Sequence, residues 1–256
     1  VERIDIKHKL YSQIDKVRSP NSIISSNTST IPLSILTQEM SDSMKTDFCI
    51  THFFNPVRFM RLLEIVETPT MNKDKMDGLR DFCKNELGKG IVNCNDTPGF
   101  IGNRIGVYAM QVAMYEALER GLPVEIADAL FGRPLGIPKT GVFGLYDLIG
   151  IDLMKDVLAS FKKELQENDP FMDVVKPHPL VEQLLEKGFN GNKGPGGFYQ
   201  TTIVEGDEHV KAMNTSDMSY YDFDKVDLEI ARRVEKEGIK ALLDDDSEYG
   251  RYALQF

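Results

Sequence analysis

A histidine stands inside the short apolar run THFFNP, residues 51–56, in a chain that has 4 histidines among 256 residues. If the run is a strand, His52 shares a face with Ile50 and Phe54, so its imidazole is at least partly removed from water. A neutral imidazole in such a place can accept a proton as a general base. The alternative is a core histidine that is hydrogen-bonded to a backbone carbonyl, and His52 alone does not separate the two interpretations.

A glutamate that follows in the next apolar run is a candidate partner for this histidine. Glu64 interrupts the run LLEIV, where an unpaired carboxylate would be costly. The dipeptide NP between the two runs can turn the chain, so that neighbouring strands bring Glu64 to His52. A carboxylate that accepts from one ring nitrogen fixes the tautomer and makes the other nitrogen more basic. A structural ion pair of Glu64 with Arg58 or Arg61 is the alternative interpretation.

Two further polar sites fit the same chemistry. The segment SSNTST, residues 25–30, follows the predicted strand NSII and lies where ligands bind in open α/β sheets. Asn103 lies in the first turn of the helix predicted after DTPGF, where an amide can donate to an oxygen and the helix terminus favours negative charge. In isolation, the first site is also an ordinary capping loop and Asn103 an ordinary helix-start residue.

The first half of the chain alternates strands with helices, which indicates an α/β layer structure. We predict strands at NSIIS, DFCITHFF, RLLEIVET and GIVNCN, and a helix over residues 71–87. The uncharged run from Phe48 to Phe54 indicates a mainly parallel sheet that is covered on both faces. Residues 3–17 are predicted as a helix with one apolar stripe, formed by Ile6, Leu10 and Ile14.

The second half of the chain shows helical spacing and no strand signal. A helix is predicted from Phe100 to Leu118. Further helices are expected at residues 124–131, 144–163, 179–187 and 224–243. The glycine-rich segment GNKGPGGFY forms a loop between the last two. An α/β half followed by an all-helical half is common among dehydrogenases.

Composition narrows the classes of function. The 30 basic and 40 acidic side chains give a net charge of −10, which argues against a broad surface for nucleic acid or anionic membranes. Cys49, Cys83 and Cys94 show no metal-ligand spacing, so we expect free thiols in a reducing compartment and no metal site. No apolar run is long enough for a membrane span and no cleavable signal opens the chain, so we expect a soluble, cytoplasmic protein.

Taken in this order and with these gaps, the stretches SNTST, HFFNPV, the glutamate and DTPGFIGNR resemble the 3-hydroxyacyl-CoA dehydrogenase family. The resemblance runs from Val1 to about Tyr199, where GNKGPGGFY is similar to the family's closing loop. TGVF replaces the GPF of many members, as in the bacterial branch with large multidomain chains. The resemblance implies a Rossmann-type NAD-binding sheet over residues 1–96, an all-helical C-terminal domain over 97–200, and a connector that enters a second helical domain over 201–256.

The activity that this resemblance implies is the NAD-dependent oxidation of an L-3-hydroxyacyl-CoA to the 3-ketoacyl-CoA in fatty-acid β-oxidation. His52 would take the hydroxyl proton, and Glu64 would hold and polarise His52. Ser29 would hydrogen-bond the substrate oxygen, and Asn103 would help to orient the substrate.

The resemblance also implies a set of cofactor contacts. The opening VERIDIK is similar to the family's V-E-x-L-x-V-K, so Glu2 and Lys7 would contact the nicotinamide end of NAD, with Asn55 and Lys193 nearby. The implied partners are an acyl-CoA substrate and a second copy of the chain, bound through the helical half. Neither nucleic acid nor a membrane is expected as a partner.

The family's glycine-rich βαβ unit, which holds the pyrophosphate of the dinucleotide, has no counterpart in these residues. We therefore expect an internal segment of a larger enzyme, which alone would bind NAD weakly and be inactive. The competing hypothesis is a non-enzymatic assembly module derived from the same fold. A lysine-catalysed β-hydroxyacid dehydrogenase lacks support, because the polar centre here is a His–Glu pair.

Overall fold

The computed structural model describes residues 3–132, 139–224 and 226–255. The chain forms two compact units, Val1–Gly106 and Val107–Phe256. The fold class is the expected one, a Rossmann-like sheet unit followed by a mainly helical unit. The three-part domain division remains a prediction. Within the described ranges, no helix has the length and apolar character that crossing a membrane requires.

The first unit is built on a four-stranded sheet. Its strands follow one another in sequence order: β1 Ile24–Ser26, β2 Phe48–Phe53, β3 Leu62–Glu67 and β4 Gly90–Asn93. The pairs β1–β2 and β3–β4 are parallel, because helical segments carry the chain back between them. The pair β2–β3 is antiparallel, because the connection over residues 54–61 is too short for a crossover. The expectation of a mainly parallel sheet therefore holds for the outer pairs and not for the central one.

Four helices accompany this sheet. They are α1 Ile4–Val17, α2 Leu33–Leu36, α3 Asp42–Lys45 and α4 Lys73–Asp81, the last continued by a π-helical turn over Phe82–Glu86. Helix α1 forms where it was predicted, but the stripe assigned to it is wrong. Tyr11 is buried against Phe48, with ring centroids 5.0 Å apart, and Ile4 and Ile14 pack beside it.

The error on α1 has a geometric cause. Ile4 and Tyr11 are seven residues apart, almost two whole turns, so they point the same way. Ile14 borders both the Ile4–Tyr11 row and the row of Ile6 and Leu10. The row that contains the bulky Tyr11 faces the sheet, and the residues Ile6 and Leu10 remain 42% and 48% exposed.

The second unit is mainly helical. Helix α5, Gly102–Glu119, starts in the first unit and ends in this one. The other helices are α6 Val124–Leu130, α7 Gly141–Ile149, α8 Ile151–Glu164, α9 Pro179–Glu186, α10 Glu229–Glu237, α11 Lys240–Leu243 and α12 Glu248–Ala253, with a short 3₁₀ helix at Pro170–Asp173. The single helix predicted over residues 144–163 is two helices, because Gly150 between α7 and α8 has φ 105°.

A three-stranded antiparallel sheet in this unit departs from the expectation of an all-helical second half. Its strands are β5 Tyr199–Val204, β6 Asp207–Met213 and β7 Tyr220–Asp222. Strands β5 and β6 are joined by Glu205 and Gly206, both with positive φ, as a two-residue hairpin turn requires. The dipeptide EG is the sequence signal for this turn. It is weak because the residues beside it on both strands are exposed, so no alternation of apolar and polar residues marks the strands.

Candidate active site

The centre of the site is a buried His–Glu pair on neighbouring strands. The antiparallel register of β2 and β3 sets His52 directly opposite Glu64. His52 Nδ1 lies 2.7 Å from Glu64 Oε2, and the two residues are only 6% and 0% exposed. Because an ionised carboxylate can only accept, Nδ1 carries the proton and Nε2 has the free lone pair. Among the described residues, neither Arg58 nor Arg61 pairs with Glu64, so the alternative ion pair does not form.

The second oxygen of Glu64 is held by the start of helix α5. Glu64 Oε1 accepts the backbone N–H groups of Ile101 at 2.9 Å and Gly102 at 2.7 Å, and the Cys94 thiol lies 3.6 Å away. Burial opposes ionisation of Glu64. The hydrogen bonds from His52 and the two amides outweigh it and hold the pKa of Glu64 below its usual value. The ionised Glu64 carboxylate therefore lies on the Nδ1 side of the imidazole.

Two phenyl rings flank the imidazole of His52. The ring centroid of Phe54 lies 4.5 Å from that of His52, and that of Phe100 lies 5.7 Å away. These rings exclude water from the sides of the imidazole. In the part of the chain that the structure describes, Nε2 has no protein partner. The pair therefore presents one oriented lone pair that can take a proton from a bound molecule.

Gly102 makes room for the Phe54 ring. A Cβ atom added at Gly102 would lie 2.5 Å from Phe54 Cζ and 3.4 Å from Glu64 Oε1. We expect Gly102→Ala to push the ring away from His52, and so to lower kcat by about threefold to tenfold with little loss of stability. Gly106→Ala is the matched control on the same helix, since a Cβ there meets nothing within 4 Å. Steady-state kinetics and thermal unfolding of both variants make the test. Equal kinetics in the two variants would contradict this role for the ring.

The polar loop after β1 is fastened to the strand that carries His52. Asn27 Oδ1, on the loop, accepts the backbone N–H of Phe53 at 2.8 Å. Just before the loop, Thr51 Oγ1 on β2 donates to Ser25 Oγ on β1 at 2.9 Å. Ser29 is half-buried on this loop. The role of Asn27 could not be predicted from the sequence, because a side chain that bonds a distant backbone group leaves no local pattern.

Asn103 is the second residue of α5, directly after the Gly102 amide that holds Glu64, and it is half-buried. Its backbone position is thus fixed by the same contact that fixes the carboxylate. His52, Glu64 and the helix start that carries Asn103 therefore belong to one connected constellation in the first unit.

The residues expected to contact a cofactor lie in several places. Lys7 Nζ donates to Ser26 Oγ at 3.3 Å, which puts the ammonium at the carboxyl end of β1. Asn55 is exposed in the connection that follows β2. Lys193 lies on an exposed turn of the second unit, 4.0 Å from the Asp152 carboxylate. Glu2 lies outside the described residues.

A buried residue, Asp147, anchors the turn that carries Lys193. Asp147 accepts the backbone N–H groups of Phe198 at 3.0 Å and Tyr199 at 2.7 Å, and its carbonyl oxygen accepts that of Asn192 at 2.9 Å. Burial raises the pKa of Asp147 to about 6 against these bonds. Asp147 therefore anchors the glycine-rich loop near its start, at Asn192, and at its end, at Phe198 and Tyr199.

Models of known protein families match most of the chain. Residues 1–97 match the family model "3-hydroxyacyl-CoA dehydrogenase, NAD binding domain", and residues 99–201 match "3-hydroxyacyl-CoA dehydrogenase, C-terminal domain". The chain belongs to the 3-hydroxyacyl-CoA dehydrogenase family. The resemblance inferred from the sequence motifs is thus confirmed.

Individual members of the family show the same relationship. A Rickettsia felis protein provisionally named a fatty acid oxidation complex trifunctional enzyme is 39% identical over 251 residues, 98% of this chain and 34% of that protein. The mitochondrial hydroxyacyl-coenzyme A dehydrogenase of Rattus norvegicus is 34% identical over 202 residues, 78% of this chain and 61% of that protein. The chain thus spans about a third of the first relative and under two thirds of the second.

Solved structures agree with the family assignment. The crystal structure of (S)-3-hydroxybutyryl-CoA dehydrogenase PaaH1 from Ralstonia eutropha has a TM-score of 0.63 and 31% identity, with coverage of 77% of this chain and 66% of that one. The 3-hydroxybutyryl-CoA dehydrogenase from Escherichia coli has a TM-score of 0.67 and 29% identity, with coverage of 78% and 41%. The family fold is therefore shared over about three quarters of the chain.

Proposed function

We propose that the full-length protein oxidises the hydroxyl group of an L-3-hydroxyacyl-CoA to the 3-ketoacyl-CoA, with NAD as the acceptor. The observation that carries this proposal is the 2.7 Å bond between His52 Nδ1 and Glu64 Oε2, with Nε2 left to accept a proton. Membership of the family supports the choice of substrate and cofactor. The role in fatty-acid oxidation and the cytoplasmic location belong to the same proposal.

The chain's own residues supply the acid–base half of the reaction. His52 Nε2 takes the hydroxyl proton of the substrate as the C3–O bond gains double-bond character. The imidazolium that forms is stabilised by Glu64, whose charge is held in place by the Ile101 and Gly102 amides. In the reverse direction, the imidazolium returns the proton to the 3-keto oxygen.

Ser29 and Asn103 complete the proposed substrate site. A hydroxyl and an amide can both donate to the substrate oxygen on which negative charge develops. Ser29 follows β1 at the carboxyl edge of the sheet, and Asn103 follows the amide that holds Glu64. Their assigned roles are binding and orientation, and the proton itself moves only to His52.

The first unit offers groups that fit the nicotinamide end of NAD. Lys7, which bonds Ser26, and the exposed amide of Asn55 are donors at the end of the sheet where dinucleotides bind. Ribose hydroxyls and a carboxamide need such donors. When bound there, NAD would accept the hydride from C3 of the substrate. Glu2 and Lys193 are proposed as further contacts.

The decisive experiment follows NADH formation by the purified full-length protein. We expect turnover with L-3-hydroxybutyryl-CoA, and little with the D-enantiomer or with free 3-hydroxybutyrate. A protein that binds acyl-CoA and shows no NADH formation with acyl chains of any length would contradict the proposal. That result would favour the non-enzymatic assembly module instead.

We further propose a homodimer formed through the helical unit. The apolar side chains Met110, Ala113 and Met114 of helix α5 are not available for this interface, because they pack in the core of their own unit. The remaining support is a pair of half-exposed leucines, Leu148 and Leu153, on consecutive helices α7 and α8.

Sedimentation equilibrium tests this dimer. We expect a dimer at micromolar concentration in the parent and weaker association in a Leu148→Glu/Leu153→Glu variant, because a buried unpaired charge opposes the interface. Ile203→Glu, on the exposed hairpin, is the control and should leave association unchanged. A parent that is monomeric at all accessible concentrations would rule the dimer out.

A further inference from the structure

A buried lysine next to the active-site strands has no part in the mechanism described above. Lys89 is 8% exposed and directly precedes β4. Its ammonium donates to the carbonyl oxygens of Val57 at 2.5 Å and Met60 at 2.8 Å, and it lies 5.6 Å from the Phe53 ring centroid. Among the residues that the structure describes, no carboxylate pairs with it. A buried cation is costly unless such bonds compensate it, so the two carbonyls are its main partners.

These two carbonyls belong to the connection over residues 54–61, between the strand of His52 and the strand of Glu64. Within the connection, Phe59 and Met60 donate their N–H groups to the Pro56 carbonyl at 2.9 and 3.0 Å, which closes one turn. The Arg61 carbonyl accepts the N–H of Gly90 at 2.7 Å. Three carbonyls of the connection are therefore held by two consecutive residues, Lys89 and Gly90.

The connection carries Asn55, which we assign to the cofactor. We propose that Lys89 is a positioning residue of the active site, whose ammonium fixes the connection and thereby places Asn55 for NAD. The inference rests on the proposed function. The His52–Glu64 pair does not depend on Lys89 in the same way, because the β2–β3 ladder holds that pair over five residue pairs, from Cys49 to Phe53.

If Lys89 positions Asn55 and does not position the His52–Glu64 pair, replacing Lys89 should change the KM for NAD and leave kcat nearly unchanged. Lys89→Met keeps an unbranched side chain that is one atom shorter, and it leaves the Val57 and Met60 carbonyls without their donor. The connection should loosen and the KM for NAD should rise about threefold to tenfold, the usual worth of one hydrogen bond at Asn55. The kcat should stay within about twofold, because His52 and Glu64 remain paired. Lys89→Arg keeps a cation with several donors and should restore much of the NAD affinity.

Lys75 provides a matched control at the other end of β2. Its ammonium donates to Asp47 Oδ1 at 2.7 Å and to the Pro20 carbonyl at 2.9 Å, just before β2 begins at Phe48. Lys75→Met removes a comparable structural contact far along the strand from His52. We expect it to lower the melting temperature and to leave the KM for NAD unchanged.

The experiment measures three quantities in the full-length parent and in these variants: the melting temperature, the separate kcat and KM for NAD, and amide hydrogen exchange in peptides covering residues 54–61. We expect faster exchange in that segment for Lys89→Met and parent-like exchange for Lys75→Met. A Lys89→Met protein that is less stable but has parent-like KM and exchange would overturn the proposal and leave Lys89 a purely structural residue.

The exchange measurement keeps this inference separate from the proposed function. If the parent forms no NADH, the proposed function fails, and exchange alone decides whether Lys89 fixes the connection. If Lys89→Met does not fold, Lys89→Gln is measured instead, since its amide keeps donors for one carbonyl. An intermediate rise in KM is then expected, and a parent-like KM overturns the proposal.

Discussion

Replacing His52 with glutamine in the full-length protein is expected to lower kcat by about 10² to 10⁴, the usual worth of a positioned general base. Glutamine can still bond Glu64 but cannot take a proton at neutral pH. The KM for NAD should change little, because His52 is assigned to the hydroxyl group of the substrate and not to the cofactor. Single-turnover NADH formation measures the chemical step directly.

The control is another histidine, His209, which is exposed on strand β6 of the second unit. His209→Gln should have parent kinetics, and both variants should keep the parent far-ultraviolet circular dichroism. If His52→Gln turns over as fast as the parent while chemistry limits the rate, His52 is not the base.

The His52–Glu64 pair could be predicted because burial makes polar residues conspicuous. A histidine and a glutamate inside two adjacent apolar runs must find partners, and a short connection between the runs brings them together. The four strands and the helices α1 and α4 of the first unit follow from the same kind of patterning, whereas the short helices α2 and α3 were not predicted. The order of motifs then identified the family, which composition and periodicity alone could not do.

Other features had no signal of that kind. The packed face of α1 was decided by the fit of Tyr11 against Phe48, which is a long-range contact. The roles of Asn27 and Lys89 depend on side chains that bond distant backbone groups, at Phe53 and at Val57 and Met60. Such bonds are set by the folded geometry, and any lysine or asparagine in the sequence could have made them.

Glu64→Gln should be the second most damaging change at the site, because glutamine cannot accept from both amides and also keep the His52 proton on Nδ1. Glu64 Oε2 accepts from His52, while Oε1 accepts from the Ile101 and Gly102 amides. Glutamine has one acceptor oxygen, so its NH₂ group faces either the two amides or His52 Nδ1. If it faces Nδ1, it donates there and moves the imidazole proton to Nε2, which then cannot act as the base. We expect a loss of about 1–3 kcal/mol in the free energy of unfolding and a fall of about 10- to 100-fold in kcat.

The pH dependence of the Glu64→Gln variant shows whether its defects come from the loss of the carboxylate charge or from altered packing at Glu64. The imidazolium of His52 loses its carboxylate, so the acidic limb of the pH–rate profile should move to lower pH. The pKa of Glu64 in the fold is lower than the ordinary glutamate value of 4.5. Ionised Glu64 therefore stabilises the fold above that pH, and this contribution disappears as the pH falls through the folded pKa.

The difference in melting temperature between parent and Glu64→Gln should thus be largest near neutral pH and should shrink below about pH 4.5. Glu67→Gln, at the more exposed end of the same strand, is the matched control. It removes a partner of Arg80 at the surface, so it should cost little stability and leave the pH–rate profile unchanged. A Glu64→Gln protein whose pH–rate profile and melting temperatures follow those of Glu67→Gln would show that the carboxylate does not act on His52, and a purely structural role for the buried pair would then be the correct interpretation.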